Sequence, residues 1–381
     1  MKVSVLGYGT VGAGVYEMLR RARAMEPGSV LVRPGKAAEP FHVTDIDAVL
    51  SDDSVGAVVE AMGGTEPAFS YACGVLRAGK HFVTSNKALV AAHGIELAAL
   101  ARENRAAFLF SAACGGGVPI LHNLALASHS DEILSVSGIL NGTTNYMLHA
   151  MQSRGMDYGQ ALKIAQELGY AEADPTADVS GLDAARKITL ACAVAFSRLP
   201  VSGIDCEGID HLSAEDVKDF QGRGLTCRLL AKGKSVGNTV SAYVEPVLLR
   251  SGAPECSVAD NYNMARYEGG RCGPMVFMGQ GAGRFPTASA VLRDLSCVLE
   301  GQREMLPADC TAVSADNSRE SHSYYVRMSA QDAASLPLRE ILVNGPEVRA
   351  LTEAVSVRKM HALAQKIRKE GGELFFAAVE E

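Results

Sequence analysis

The chain carries no surplus of positive charge: 36 lysines and arginines face 43 aspartates and glutamates, for a net charge of −7. Phosphate backbones are held by clustered cations, so a nucleic-acid partner is not expected. The nine cysteines are scattered, odd in number and form no C-x-x-C pair. Neither a disulfide framework nor a zinc knuckle follows from them, and they read as reduced thiols. No apolar run reaches the roughly 20 residues that a membrane helix needs. The opening MKVSVLGYGTVG enters a structural motif without a basic leader or a small-residue cleavage site. A cytoplasmic protein with no membrane partner is therefore expected. Internal repeats and low-complexity tracts are also missing. What is there is a chain of 381 residues, 48% hydrophobic and 21% charged. That is the balance of a globular protein too long for a single core, and it leaves small-molecule chemistry as the leading class.

The first third alternates strand and helix patterns. Val3 to Leu6 is apolar, β-branched and ends at glycine, and a helical pattern follows from about Val11 to Arg23. Further strands are expected at Ser29 to Val32, Ala57 to Glu60, His81 to Thr84 and Ala107 to Phe110, with helices at Phe69 to Ala78 and Leu89 to Asn104. This order predicts a parallel sheet covered by helices. The segment between the first helix and AVVE is short for a full set of βα units. After Cys114 to Gly117 the texture changes to helices (Ile120 to Ala127, Asn145 to Arg154, Tyr158 to Leu168, Leu182 to Phe196) among strands (Leu134 to Leu140, Ser241 to Leu249, Pro274 to Met278). A second, α+β domain is expected there. Pro307 to His322 reads as a linker, and the tail reads as strand (Tyr324 to Ser329), helix (Ser356 to Lys369) and strand (Glu373 to Val379).

Gly7, Gly9 and Gly12 stand in G-x-G-x-x-G register after a strand and at the head of a helix. The first glycine permits the tight turn, the second a close backbone approach to a pyrophosphate, and the third close packing of helix on strand. The helix start then faces the phosphates. The acid expected about 20 residues on, for the ribose hydroxyls of NAD, has no clear counterpart, and the second strand runs instead into VLVRPGK. Arg33 and Lys36 suit a 2′-phosphate, which favours NADP(H) and leaves NAD(H) open; the alternative makes them solvated loop cations.

Asp183 and Lys187 are four apart in GLDAARKITLACA and share one helix face. They form either an ordinary surface pair or a partly desolvated lysine able to give a proton to an oxygen. Glu172 and Asp178 lie in the irregular stretch before that helix, where carboxylates can converge on an ammonium group. Ser85, Asn86 and Lys87 follow the strand HFVT at the sheet edge where ligands bind. Asn141, Thr143 and Thr144 end a second-domain strand, where hydroxyls either cap a helix or bind substrate.

With these pieces in order, GYGTVGAG, EAMGG with TSNKALVA, GGGVPI, GILNGTTNYML, ELGYAEADPTADVSGLDAARK and GQGAGRFPTASAVLRDL resemble the homoserine dehydrogenase family over about residues 1 to 300. That family interconverts aspartate 4-semialdehyde and homoserine with NAD(P)H. The resemblance implies a Rossmann-like nucleotide-binding domain (1–115 and 281–303) with a returning helix at Thr287 to Leu299, and an α+β catalytic and dimerisation domain (116–280). A linker (304–322) and a small, degenerate ACT-like tail (323–381) complete the expected fold, since SYYVRMSA resembles the first ACT strand but the usual turn and helix are missing.

By the same resemblance, Lys187 and Asp183 are the catalytic lysine and aspartate, and Lys87 is a second lysine at the reaction centre. Glu172, Thr143, Tyr170 and Asp178 would bind the substrate. Gly7, Gly9, Thr10, Val11, Met62, Gly63, Gly64, Thr65, Ser85 and Gly281 would line the cofactor, joined by Gly12, Arg33 and Lys36 from the reading of the glycine turn and of VLVRPGK, and by Lys87. A monovalent cation, sodium or potassium, would sit at Ser111, Cys114, Gly116 and Val118, although Ser111 stands where the family usually has glutamate. A homodimer or homotetramer acting on a small molecule is implied. Two other readings stay open: a reductase of another small amino or hydroxy acid, and a non-catalytic dinucleotide-binding regulator.

Overall fold

A computed structural model describes residues 1–380, which divide into two compact units. The first comprises 1–133, 189–201 and 267–312; the second comprises 134–188, 202–266 and 313–381.

The first unit is built on six parallel strands, β1 (Lys2–Leu6), β2 (Glu26–Leu31), β3 (His42–Val43), β4 (Val55–Glu60), β5 (His81–Thr84) and β6 (Phe108–Leu109). Their spatial order is β3-β2-β1-β4-β5-β6. Val3, Val5, Val58, Val59, Phe82 and Val83 are fully buried, as expected of parallel strands covered on both faces. Helices α1 (Thr10–Leu19), α2 (Asp47–Leu50), α3 (Ala68–Arg77) and α4 (Lys87–Glu103) connect them. The strand order reverses between β1 and β4, so their carboxyl ends define the place where such sheets take ligands. The short segment noted in the sequence is where one unit is trimmed: β2 reaches β3 through a loop without a helix, and β3 is two residues long. The returning helix, Arg284–Leu299, packs on α1; a Cβ on Gly14 would lie 2.8 Å from Arg284 and 3.3 Å from Ala288, so only glycine allows this approach.

In the second unit, β7 (Ile133–Ile139) lies between strand Tyr262–Gly269 and strand Leu225–Val236. The last of these forms a twelve-residue antiparallel hairpin with Thr239–Arg250. Helices α6 (Gly142–Arg154), α7 (Tyr158–Glu167), α8 (Thr176–Val179) and the start of α9 (Leu182–Phe196) follow β7 in sequence, and α5 (Ile120–Ala127) precedes it in the first unit.

The tail corrects the sequence reading. Strand Leu374–Val379 pairs in parallel with Thr239–Arg250 and antiparallel with Ser321–Ser329. Two strands absent from the expectation, Leu338–Val343 and Glu347–Thr352, extend the same sheet. Val247, Leu249, Tyr324, Val326, Met360, Ile367 and Phe376 share one core cluster, so the tail is an integral part of the second unit's sheet. The stretch read as a linker is ordered as well. Asn317, fully buried, accepts from the Ser241 hydroxyl and the Ala242 N–H and donates to the Gly203 carbonyl and the Asp205 carboxylate. Its polar composition hid it, because a polar residue that pins a sheet looks the same in sequence as one in a solvated loop.

Candidate active site

In the first unit, the turn after β1 has the form its glycines require. Gly7 adopts φ +96°, and a Cβ there would lie 2.9 Å from the Ala61 carbonyl oxygen. A Cβ on Gly12 would come within 2.0 Å of the Gly7 carbonyl oxygen. Gly9, by contrast, faces open space and is the N-cap of α1 without a side-chain cap. Thr10 is exposed and Val11 partly so, leaving the helix start free to receive an anion.

The loop Met62 to Thr65, expected to line the cofactor, is held by a network that sequence reading missed. Glu60, fully buried at the end of β4, accepts from the Met62 N–H at 2.6 Å and the Gly63 N–H at 3.2 Å. It also accepts from the Thr84 hydroxyl at 2.5 Å. Asn86 caps α4 through Leu89 N–H and donates to the Gly64 carbonyl at 2.6 Å. Gly63 and Gly64 both have positive φ, which suits the sharp course of this loop. The one signal available was a carboxylate ending an otherwise apolar β-branched run. Ser85 and Lys87 stand at the same edge, and Arg33 and Lys36 lie exposed in the loop after β2.

Of the residues expected around a cation, Ser111 is buried, and both its N–H and its hydroxyl donate to Asp294. Burial pushes the Asp294 carboxyl up to about 7 against the opposing bonds from Ser111. Cys114 and Val118 are buried nearby in sequence, and Gly116 packs so closely that a Cβ would meet the Gly281 carbonyl oxygen at 2.4 Å. Among the described residues no group of three or more His, Cys, Asp or Glu side chains is arranged to hold a metal ion.

In the second unit, three segments converge. Asn141 is the N-cap of α6, its Oδ1 accepting from the Thr144 N–H at 2.8 Å. The cap is thus the asparagine, where the sequence reading offered the threonine hydroxyls. Gly181, at φ +82°, turns the chain between α8 and α9 against Cys206 and Glu207. That turn brings Asp178 and Asp183 to the same asparagine: Asn141 Nδ2 lies 2.7 Å from Asp178 Oδ1 and 3.0 Å from Asp183 Oδ2.

Asp183 sits in the first turn of α9, where the helix end favours negative charge. One turn on, Lys187 Nζ is 2.7 Å from Asp183 Oδ2 and donates to the Leu140 carbonyl at 2.7 Å. Both residues are buried, 7% and 9% exposed, which removes the surface-pair reading. The Thr143 hydroxyl lies 2.6 Å from the Tyr170 carbonyl and 3.1 Å from Asp178 Oδ2. Burial holds the Asp178 carboxyl above the ordinary carboxylate range; the bond from Asn141 opposes this and the charge of Asp183 reinforces it. The Tyr170 ring is exposed and meets Tyr146 edge-on. Glu172 is exposed, and its backbone carbonyl accepts from Gln166. Its carboxylate is therefore not among the groups that Asn141 gathers.

Comparison with known proteins agrees with both parts. The family model "Homoserine dehydrogenase, NAD binding domain" matches residues 7–111, and "Homoserine dehydrogenase" matches 119–296. A homoserine dehydrogenase of Synechocystis sp. is 40% identical over 313 residues, spanning 77% of this chain and 72% of that protein. The crystal structure of a homoserine dehydrogenase from Thiobacillus denitrificans superposes with a TM-score of 0.87 at 30% identity, over 100% of this chain and 98% of that one. A hyperthermophilic archaeal homoserine dehydrogenase, solved in complex with NADPH, shares the fold at a TM-score of 0.68 and 24% identity, over 79% of this chain and 98% of that one. With a glycine turn for a nicotinamide dinucleotide in one unit and a buried lysine–aspartate pair in the other, this chain belongs to the homoserine dehydrogenase family.

Proposed function

We propose that the family's reaction, NAD(P)H-dependent reduction of aspartate 4-semialdehyde to homoserine, is carried here by Lys187 and Asp183, with NADPH as the preferred reductant. The observation that carries this reading is the buried pair at 2.7 Å, tied through Asn141 to a second carboxylate. The residues of the first unit fit the cofactor. The space at Gly9 and the uncapped start of α1 suit a pyrophosphate, while Met62 to Thr65 and Ser85 border the same sheet edge. Gly281 belongs to the same proposed set. Arg33 and Lys36, exposed past the end of β2 and without an acid between them, support recognition of a 2′-phosphate.

When bound, the reduced nicotinamide supplies hydride to the aldehyde carbon. The aldehyde oxygen then gains negative charge, and the Lys187 ammonium stabilises and protonates it. Asp183 holds Lys187 in place. Asp178, Thr143 and the Tyr170 segment, together with Glu172 on the exposed side, bind the substrate and compensate its ammonium. A cation site at Ser111, Cys114, Gly116 and Val118 fits less well, because the Ser111 side chain is engaged with Asp294. No step is assigned to a cation. A homodimer or homotetramer is the proposed assembly, and the cytoplasm the proposed compartment; no helix among the described residues is long and apolar enough to cross a membrane.

The test is to follow NADPH and NADH oxidation by the purified protein with aspartate 4-semialdehyde and, separately, with another small aldehyde. Turnover restricted to aspartate semialdehyde and faster with NADPH is expected. Cofactor binding without turnover on any aldehyde would leave only the regulator reading.

A further inference from the structure

We infer that Asn141 is a positioning residue of the reaction: its side-chain amide sets the spacing of Asp178 and Asp183 and, through Asp183, the place of the Lys187 ammonium. The inference rests on the assignment of Asp183 and Lys187 proposed above.

An asparagine amide has two N–H bonds, and here its nitrogen serves two different carboxylates, at 2.7 and 3.0 Å. The two accepting oxygens can therefore be no farther apart than the sum of those distances. The amide oxygen is occupied as well, by the Thr144 N–H at 2.8 Å and the Thr144 hydroxyl at 3.0 Å. Asn141 is 4% exposed, so these contacts are made out of water.

A cap alone would not call for asparagine, since serine and aspartate cap a helix about as well. Among these residue types, only asparagine offers an acceptor to the helix and two donors to a pair of acids at once. The neighbouring residue completes the clamp: the Leu140 carbonyl holds Lys187 Nζ while the Asn141 side chain holds its partner Asp183. Two adjacent residues between β7 and α6 thus hold both ends of the ion pair.

The donors also have an electrostatic task. Carboxylates this close disfavour double ionisation unless hydrogen bonds compensate. Besides burial, the largest influences on Asp178 are the charges of Asp183 and Lys187, both from α9, and the hydrogen bonds from Asn141, the N-cap of α6, and Thr143 in its first turn. Withdrawing the Asn141 donors therefore raises the pH at which Asp178 gains its proton.

Asn141→Asp and Asn141→Ser test this, because both keep a capping oxygen. Asn141→Asp replaces the donors with an acceptor, and Asn141→Ser leaves at most one short donor. Hydrogen bonds to charged groups of this kind correspond to a loss of about 10- to 100-fold in kcat/KM. The expected result is that loss in both variants, an acid limb of the kcat/KM profile displaced to higher pH in Asn141→Ser, and NADPH affinity near that of the parent. Rates within about twofold of the parent with superimposable pH profiles would reduce Asn141 to a helix cap and overturn the inference. A lower rate with an unmoved acid limb would overturn it too, since a loosened helix start gives that pattern. If one variant does not fold, the other decides. A parent enzyme that fails to turn over aspartate semialdehyde overturns the assignment of Asp183 and Lys187 themselves, a result separate from unaffected variants of an active parent.

Discussion

In the first unit the groups proposed to meet the cofactor's pyrophosphate are backbone groups: the open N-terminus of α1, the face of Gly9 and the loop Met62 to Thr65, which Glu60 and Asn86 hold from behind. In the second unit they are side chains from three separate segments, with Asn141 and Thr143 on one, Asp178 on another, and Asp183 and Lys187 on the third. A backbone site depends on where a Cβ would clash. A side-chain site depends on which charges are paired. The two are therefore broken by different substitutions, and the kinetic consequences separate.

The largest effect is expected from Lys187→Ala. Removing the proposed proton donor should lower kcat by about 10²- to 10⁴-fold while leaving NADPH affinity unchanged. Steady-state rates beside a fluorescence titration of NADPH check both, and an unchanged kcat would contradict the assignment. Next is Gly12→Ala, whose Cβ would meet the Gly7 carbonyl oxygen at 2.0 Å and force the turn open. A displacement of that order should weaken NADPH binding by about 10²-fold, with kcat largely kept at saturating cofactor. The comparison blurs if kcat falls as far as affinity.

The smallest effect on activity is expected from Asp294→Asn, whose consequence is one of stability. Burial pushes this carboxyl up to about 7, whereas in the unfolded chain it titrates near its usual value of about 4. Between those values the folded protein holds a proton that the unfolded chain has released. The contribution is thus fully present below the unfolded value and lost as pH rises through the folded one. Asparagine has no such proton, so the stability of the variant relative to the parent should improve by up to about 4 kcal/mol from pH 4 to 8. Paired thermal melts across that range show it, and parallel curves would refute the buried titration.

How far each region could be read beforehand follows the same division. The turn of Gly7, Gly9 and Gly12 was legible because its requirement is local, a strand, a tight turn and a helix within a dozen residues. Glu60 and Asn86 were less so, because what they hold lies on other segments. Asp183 and Lys187 were visible as an i, i+4 pair, yet spacing did not distinguish a surface pair from a buried one. Glu172 drew attention by its place in the motif, and the structure adds only that the residue is exposed while Asn141 joins the other two acids.

The tail was misread for a related reason. Leu338–Val343 has no buried residue to mark it as a strand and pairs with its neighbour Glu347–Thr352, which alone alternates buried residues and joins Ser321–Ser329. Asn317 in the supposed linker reaches back to Ser241 and Ala242.

By itself the sequence determined the parallel α/β order of the first unit, the dinucleotide turn and the residue types of the proposed reacting pair. These depend on periodicity, on glycine where a Cβ has no room, and on the reach of one helical turn. Only the tertiary structure decided that Asp183 and Lys187 are withdrawn from water, that one asparagine joins two acids, and that the tail completes the second unit's sheet. Burial and long-range pairing are properties of neighbours in space, and a linear pattern does not specify which distant segments those neighbours are.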